Sequence, residues 1–314
     1  MYSFRSQSKR LFFVGAKRGW GSFVWICKIV IPISFLVTIL QWTGWLSQLD
    51  FLLNPLMKSI NLPPEAALPI IIGMLVNLYA VIAAMTALPF TLDQMTLIAV
   101  FTLICHNLIA EGIIQHKSGI NVIKATLVRF IAATLTVIIA SQFLGDTSQS
   151  VTVPGALMVS TSLPEVLKDW GIDTLVLLLK ILGIVMSIMI MLEFSESMRW
   201  TEYSLKLLRP LMRILRLSER SALFWVTSAT FGLMYGGAAI VDEARKGAMA
   251  REELERLHIS IGINHAMVED PVLFLALGLN PLWLWVPKLI MAIIAVQTYR
   301  ALQYLKSKLL HHSL

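Results

Sequence analysis

The sequence predicts an all-α polytopic membrane protein built from two inverted repeats, each with three spans, one interfacial amphipathic helix and one re-entrant helical hairpin. Three observations carry that expectation: an apolar composition, an internal duplication and the placement of the basic residues. Hydrophobic residues make up 57% of the 314 and charged residues only 14%, against roughly a quarter charged in a soluble domain. The duplication is read directly. Leu52-Leu53-Asn54-Pro55-Leu56-Met57-Lys58 returns as Leu207-Leu208-Arg209-Pro210-Leu211-Met212-Arg213, a shift of 155 residues. His106, Glu111, Gly119, Asn121 and Arg129 return as His265, Asp270, Gly278, Asn280 and Lys288, a shift of 159. The four extra residues fit the charged stretch from Asp242 to Glu255, where a loop insertion costs little.

Eight apolar segments follow in order: Trp20–Trp42, Ala66–Phe90, Met95–Ile114, Ile120–Phe143, Leu175–Leu192, Ser221–Ile240, Leu257–Leu277 and Leu282–Ala301. Several reach the ~20 residues that a hydrocarbon core requires. An amphipathic stretch, Leu46–Ile60, separates the first two, and its copy, Tyr203–Leu217, separates the fifth and sixth. Met1 to Arg18 carries Arg5, Lys9, Arg10, Lys17 and Arg18 before a full-length apolar run, which reads as a basic tail rather than a cleavable signal.

Charge decides which segments span. With the basic N-terminus in the cytoplasm, eight spans would put the densest basic cluster outside, namely Arg199, Lys206, Arg209, Arg213, Arg216 and Arg220. The positive-inside rule opposes that. If Ala66–Phe90 and Ser221–Ile240 instead enter and leave on one face, nearly every flanking basic residue becomes cytoplasmic; Lys58 and Lys168 are the main exceptions. Each hairpin arm of ~11 residues rises ~16 Å, about half of a ~30 Å core. The midpoints fall at Asn77 and Gly232, which match at the shift of 155, and both residue types tolerate the conformations of a tight tip.

The resulting organisation is a basic tail (1–19), repeat one (20–143), an external linker (144–172) containing Thr147-Ser148-Gln149-Ser150 and Pro154-Gly155, repeat two (173–304) and a cytoplasmic tail (305–314). Three spans per half, an odd number, make the halves inverted. Both termini are expected in the cytoplasm of a bacterial inner-membrane protein. A duplicated apolar chain of this kind points to a secondary transporter whose halves enclose a midplane site.

Candidate site residues are the polar groups at membrane depth, which are costly there and usually face a cavity or a partner. They are the hairpin-tip residues Asn77, Tyr79, Gly232 and Tyr235, and the helix-centre residues His106, Asn107, Asn264, His265 and Glu269. Pro271 removes a backbone donor and opens the helix beside them. Arg129 and Lys288 occupy matching places in the last span of each half, with Glu111 and Asp270 expected as their partners. The sequence leaves the bland alternative open, that each His simply makes an interhelical hydrogen bond. His with carboxylate also suits borderline metals such as iron or zinc, so a divalent metal or proton-coupled route stands beside a small-solute one; the metal itself is left unassigned.

Nucleic acid is not an expected partner, since the net charge of +7 resides at segment ends. Cys27 and Cys105 lie in apolar segments without CxxC spacing. No HExxH or GxSxG run occurs, so an enzyme is not expected, and no cofactor is implied.

The order of span, amphipathic helix, hairpin, span and span, repeated, resembles the core of concentrative nucleoside transporters. It is also similar to the Gate (nucleoside recognition) domains of ferrous-iron transporters and spore-maturation membrane proteins. The residues carrying the resemblance are the LLNPLMK and LLRPLMR runs, the tips Gly73–Asn77 and Gly232–Gly237, and the polar centres Cys105-His106-Asn107 and Asn264-His265. It implies transport of a small solute, a nucleoside-like one among the candidates, and assembly as a homo-oligomer. A scaffold role in an envelope or spore-maturation complex is the other reading, supported by the basic amphipathic helix Tyr203–Leu217. Nucleoside transporters of this type read the base with a Gln-Thr-Glu-type run on the first hairpin, where this chain has only Asn77, Tyr79 and Thr86. It also lacks the GxxxxGK[ST] phosphate loop of a complete ferrous-iron transporter.

Overall fold

A computed structural model describes residues 2–45, 50–145, 147–148, 162–198, 200–247 and 249–312. All regular structure among them is helical. The first half comprises α1 (Tyr2–Trp42), α2 (Asp50–Lys58), α3 (Ala67–Leu75), α4 (Leu78–Thr86), α5 (Leu92–Ile104), α6 (Leu108–Lys117) and α7 (Val122–Ser141). The second comprises α8 (Leu163–Ser197), α9 (Trp200–Leu215), α10 (Glu219–Phe231), α11 (Leu233–Arg245), α12 (Arg251–Asn264), α13 (Glu269–Leu275) and α14 (Pro281–His312). A single 3-10 turn, Pro64–Ala66, precedes α3.

Among the described residues, five stretches are long and apolar enough to cross a membrane: Ser8–Trp42, Leu92–Lys117, Val122–Ser141, Leu163–Ser195 and Pro281–Leu309. The protein is therefore a multi-pass membrane protein. The expected span Leu257–Leu277 departs from this set. It is divided between α12 and α13, of 14 and 7 residues, because the chain breaks at His265, and α12 opens with the charged run Arg251-Glu252-Glu253. Of the expected linker, Gln149, Ser150, Pro154 and Gly155 lie outside the described residues, and its last part, from Leu163, is already the start of α8.

Neither segment expected to form a hairpin is a continuous helix. Ala66–Phe90 breaks at Val76-Asn77, and Asn77 caps α4 by accepting from Ala80 N. Ser221–Ile240 breaks at Gly232, whose φ of +84° suits glycine. The arms fold back on each other. A Cβ at Gly73 would lie 2.7 Å from Val81, and one at Gly236 would lie 2.1 Å from the Ser228 hydroxyl, contacts that a straight helix, rising 1.5 Å per residue, cannot bring together over eight residues. Ala80 to Met85 have no solvent exposure at all. This burial lets irregular backbone exist in an apolar setting, since a lipid-exposed break would leave amide groups unsatisfied.

Matched positions share unusual backbone geometry. Asn61 and Arg216 have φ of 58° and 53°, Asn107 and Ala266 have 50° and 46°, and Gly119 and Gly278 have 82° and 81°. A left-handed conformation at a non-glycine residue costs about 1–2 kcal/mol. Its recurrence at the same two offsets shows that the local folds of the halves correspond, not merely their compositions.

Packing follows a simple plan. Each hairpin nests against the broken helices, and the apolar clusters cross the halves: one around Val81, Ile82 and Phe101 takes in Ile181, Ile263 and Phe274, and one around Trp225, Val226 and Ile261 takes in Ile120 and Ala125. Outward faces are apolar: Leu127, Ile131, Leu135 and Ile139 recur every fourth residue on α7 and are exposed, while Ala125, Arg129, Ala132 and Thr136 are buried. The exposed stripe is the lipid-facing side.

The first span of each half, α1 and α8, forms the most extensive helix pair. Their approach is close because Gly15 and Gly19, a G-x-x-x-G spacing, remove side chains from the crossing. A Cβ at Gly15 would lie 2.7 Å from Ile190 Cα, which is backbone and cannot yield. Gly15→Leu is therefore expected to force the pair apart and cost about 1–3 kcal/mol, read as a lowered unfolding midpoint in detergent. Gly21→Leu, whose Cβ meets nothing within 4 Å, should leave the midpoint unchanged.

Candidate functional site

The site forms where two helices stop in mid-course. α5 ends at Ile104 and α6 starts at Leu108; α12 ends at Asn264 and α13 starts at Glu269. Ending a helix exposes carbonyls without partners. Arg129 of α7 meets those of the first break, with Nε donating to Ile104 O at 3.0 Å and Nη2 to His106 O at 2.8 Å. Lys288 of α14 donates to His265 O at 3.3 Å in the second. The donors freed beyond the breaks are met by the hairpin tips: Asn107 N donates to Gly73 O at 2.9 Å and Ala266 N to Ser228 O at 3.0 Å. Cations thus stand where the helix dipole ends negative, and each tip is fastened to its break.

The two histidines face each other across the halves. Nδ1 of His106 lies 2.8 Å from Thr102 O, and Nδ1 of His265 lies 2.9 Å from Ile261 O. A carbonyl only accepts, so Nδ1 carries the proton in both rings and both Nε2 atoms present lone pairs when the rings are neutral. These Nε2 atoms are 3.1 Å apart. Glu111 Oε1 lies 3.0 Å from the His265 Nε2 and 3.6 Å from the His106 Nε2. Asp270 Oδ2, which has no hydrogen-bond donor, lies 3.5 Å from the His106 Nε2. Four acceptors therefore converge in a buried place.

Two further contacts fix the surroundings. Glu111 turns its other oxygen to Arg129 Nη1 at 2.6 Å, an ion pair with both side chains almost wholly buried. Tyr79 on the first hairpin donates from its hydroxyl to Glu269 Oε1 at 2.7 Å and meets Trp25 of α1 edge to face, ring centroids 6.0 Å apart.

A cavity of about 190 Å³ opens onto this cluster. Of the sequence-nominated residues, Asn77, Tyr79, His106, Asn107, Glu111, Gly232, His265, Glu269 and Asp270 line it. Asn264 does not; it is buried with neither side-chain polar atom bonded. Arg129 and Lys288 stand behind the lining. The side chain of Tyr235 lies outside the described residues. The expected contact between Lys288 and Asp270 is replaced: the ammonium reaches the His265 carbonyl, and Asp270 turns toward His106. The freed carbonyl of the helix break competes successfully for the cation. Trp25, Phe231 and Leu273 also line the cavity and were not nominated. The aromatic-to-polar neighbourhood of Trp25 was visible only once α1 had been placed beside the hairpin.

Removing one member of the Glu111–Arg129 pair leaves a buried charge, which costs about 3–5 kcal/mol. Arg129→Met is therefore expected to lower the unfolding midpoint sharply, and Glu111→Gln combined with Arg129→Met should recover part of the loss. A double-mutant cycle on unfolding free energies measures the coupling.

Residues 23–145 match the family model Gate, described as nucleoside recognition. Over 282 residues the chain is 29% identical to the uncharacterized membrane protein YvoD of Bacillus subtilis (strain 168), covering 88% of this chain and 89% of that one. No solved structure matches. Residues 23–145 of this multi-pass membrane protein are thus similar to the Gate, or nucleoside-recognition, family.

Proposed function

We propose that this chain is a transporter of a small solute or ion, not an enzyme, working by alternating access between two inverted halves in the bacterial inner membrane. One observation carries the reading. Two broken helices and two hairpin tips, one of each from either half, meet at a single charged cavity. Discontinuous helices meeting at a site between repeats are the usual architecture of secondary transporters. A scaffold has no need of charged groups sequestered at such cost.

The cavity's size bears on the substrate. At about 190 Å³ it falls below the roughly 300–1,000 Å³ of pockets for drug-sized ligands. This favours a solute smaller than a nucleoside and raises the cation route above a nucleoside-like one. Asn77, Tyr79, Asn107 and Gly232 would form the gate-side walls, and His106, His265, Glu269, Glu111 and Asp270 the polar floor. The basic N-terminus and the cluster around α9 support cytoplasmic termini, and assembly as a homo-oligomer belongs to the same reading.

Inversion gives the sharpest test. With Cys27 and Cys105 replaced, single cysteines at Glu65 and Thr91 flank the first hairpin, and cysteines at Glu219 and Lys246 flank the second. The first pair should react with an impermeant maleimide in whole cells, and the second pair only in inside-out vesicles. Labelling of either pair from opposite faces would make that segment a span and remove the inverted architecture.

A further inference from the structure

We propose that His106 Nε2, His265 Nε2, Asp270 Oδ2 and Glu111 Oε1 are the ligands of a first-row divalent transition-metal ion. The inference deepens the transport reading above and rests on it only for the metal's role as cargo or coupling ion; the binding site stands on its own geometry.

The ligand spacing comes first. A tetrahedral ion with bonds of ~2.0–2.1 Å holds its ligands ~3.3 Å from one another. Four of the six edges of this cluster are 3.1, 3.5, 3.6 and 3.0 Å. His106, His265 and Asp270 each offer a ligand atom, and all of these atoms lie within 4.8 Å of one another.

The atoms' protonation comes second. Both imidazoles spend their Nδ1 proton on a backbone carbonyl, Thr102 O and Ile261 O. This is the support that metal-bound histidines characteristically have, and it aims the lone pair of the other nitrogen at the ion. Glu111 is held in the same way, its second oxygen anchored by Arg129.

Without a cation, the arrangement is hard to sustain. Two lone pairs 3.1 Å apart, flanked by carboxylate oxygens, repel one another. A proton relieves one contact, because it bridges two atoms. It would leave Asp270 Oδ2 buried and without a donor. An ion of valence two gives Asp270 Oδ2 a partner and neutralises the facing lone pairs. Two imidazoles with two carboxylates suit zinc, cobalt, manganese or ferrous iron better than calcium or magnesium, which prefer six or more oxygens.

The site spans the halves, which gives binding a mechanical consequence. His106 and Glu111 flank the break between α5 and α6, while His265 and Asp270 flank the break between α12 and α13. A metal there ties the two broken helices together, and its release unties them.

The test uses the full chain in detergent, stripped with a chelator and titrated with cobalt(II). The expected result is the visible absorption of tetrahedral cobalt, saturating at one equivalent and abolished by zinc. His265→Gln and the near-isosteric Asp270→Asn should each weaken binding by more than the about 10–100-fold that loss of a mere supporting partner costs. Cys27→Ser, whose side chain does not line the cavity, should bind as the parent does. Absence of both cobalt bands and zinc binding heat in folded protein would overturn the proposal, as would an Asp270→Asn variant that is folded and binds like the parent. Flux is read separately, in proteoliposomes enclosing a cobalt-quenched dye. Binding without His265-dependent quenching would keep the metal site and remove the transport reading, while failure to bind removes the site and leaves hairpin accessibility to judge transport.

Discussion

Backbone groups released by a broken helix must find partners where water is scarce, and this structure is arranged around that requirement. In a hydrocarbon setting each unsatisfied group costs several kcal/mol. Two breaks, at residues 105–107 and 265–268, therefore dictate much else. They require cations behind them, and Arg129 and Lys288 supply these from the neighbouring spans. They require carbonyls in front of them, and the tips of two short hairpins provide these through Gly73 O and Ser228 O. The hairpins in turn are stable only because they are buried against the broken helices. In each half the hairpin is thus fastened to the break, and the polar groups of both breaks face one cavity.

The local correspondence of the halves extends to details that composition cannot impose. Left-handed residues recur at the same offsets whether the side chain is Asn or Arg, Asn or Ala. Their chemistry differs, however, and the differences are informative. Glu111 has a bidentate-capable Arg129 as its partner, whereas Asp270, one carbon shorter, leaves an oxygen free toward His106. Tyr79 reaches across to Glu269, a carboxylate with no counterpart at the first break, where Ala110 stands 159 residues earlier. A symmetric scaffold thus carries an asymmetric set of donors and acceptors.

Much of this was legible in the sequence because the signals were discrete. LLNPLMK against LLRPLMR fixed the first offset, and the His106–His265 series fixed the second. Asn77 and Gly232 marked the tips because turn chemistry is local. The breaks inside the helices were only half visible: Pro271 advertised the second, but the first carries no proline, and its stop at Cys105 depends on contacts from Arg129. Lys288 could not be assigned its carbonyl partner by spacing, since a side chain's choice among acceptors a few ångströms apart is a matter of three-dimensional direction. The Gly15 and Gly19 crossing was in plain view, but a G-x-x-x-G pair states only that a close approach is permitted, not which helix makes it.

The facing of the two histidines across the halves is the claim on which the cavity, the pairing of the breaks and the metal site converge. Nitrogen-15 NMR of histidine-labelled protein in lipid, with His106 and His265 assigned by single substitution, reads it directly. The account predicts that both rings are protonated at Nδ1, and that substituting either one shifts the Nε2 signal of the other. Two rings protonated at Nε2, or two signals indifferent to each other, would contradict it.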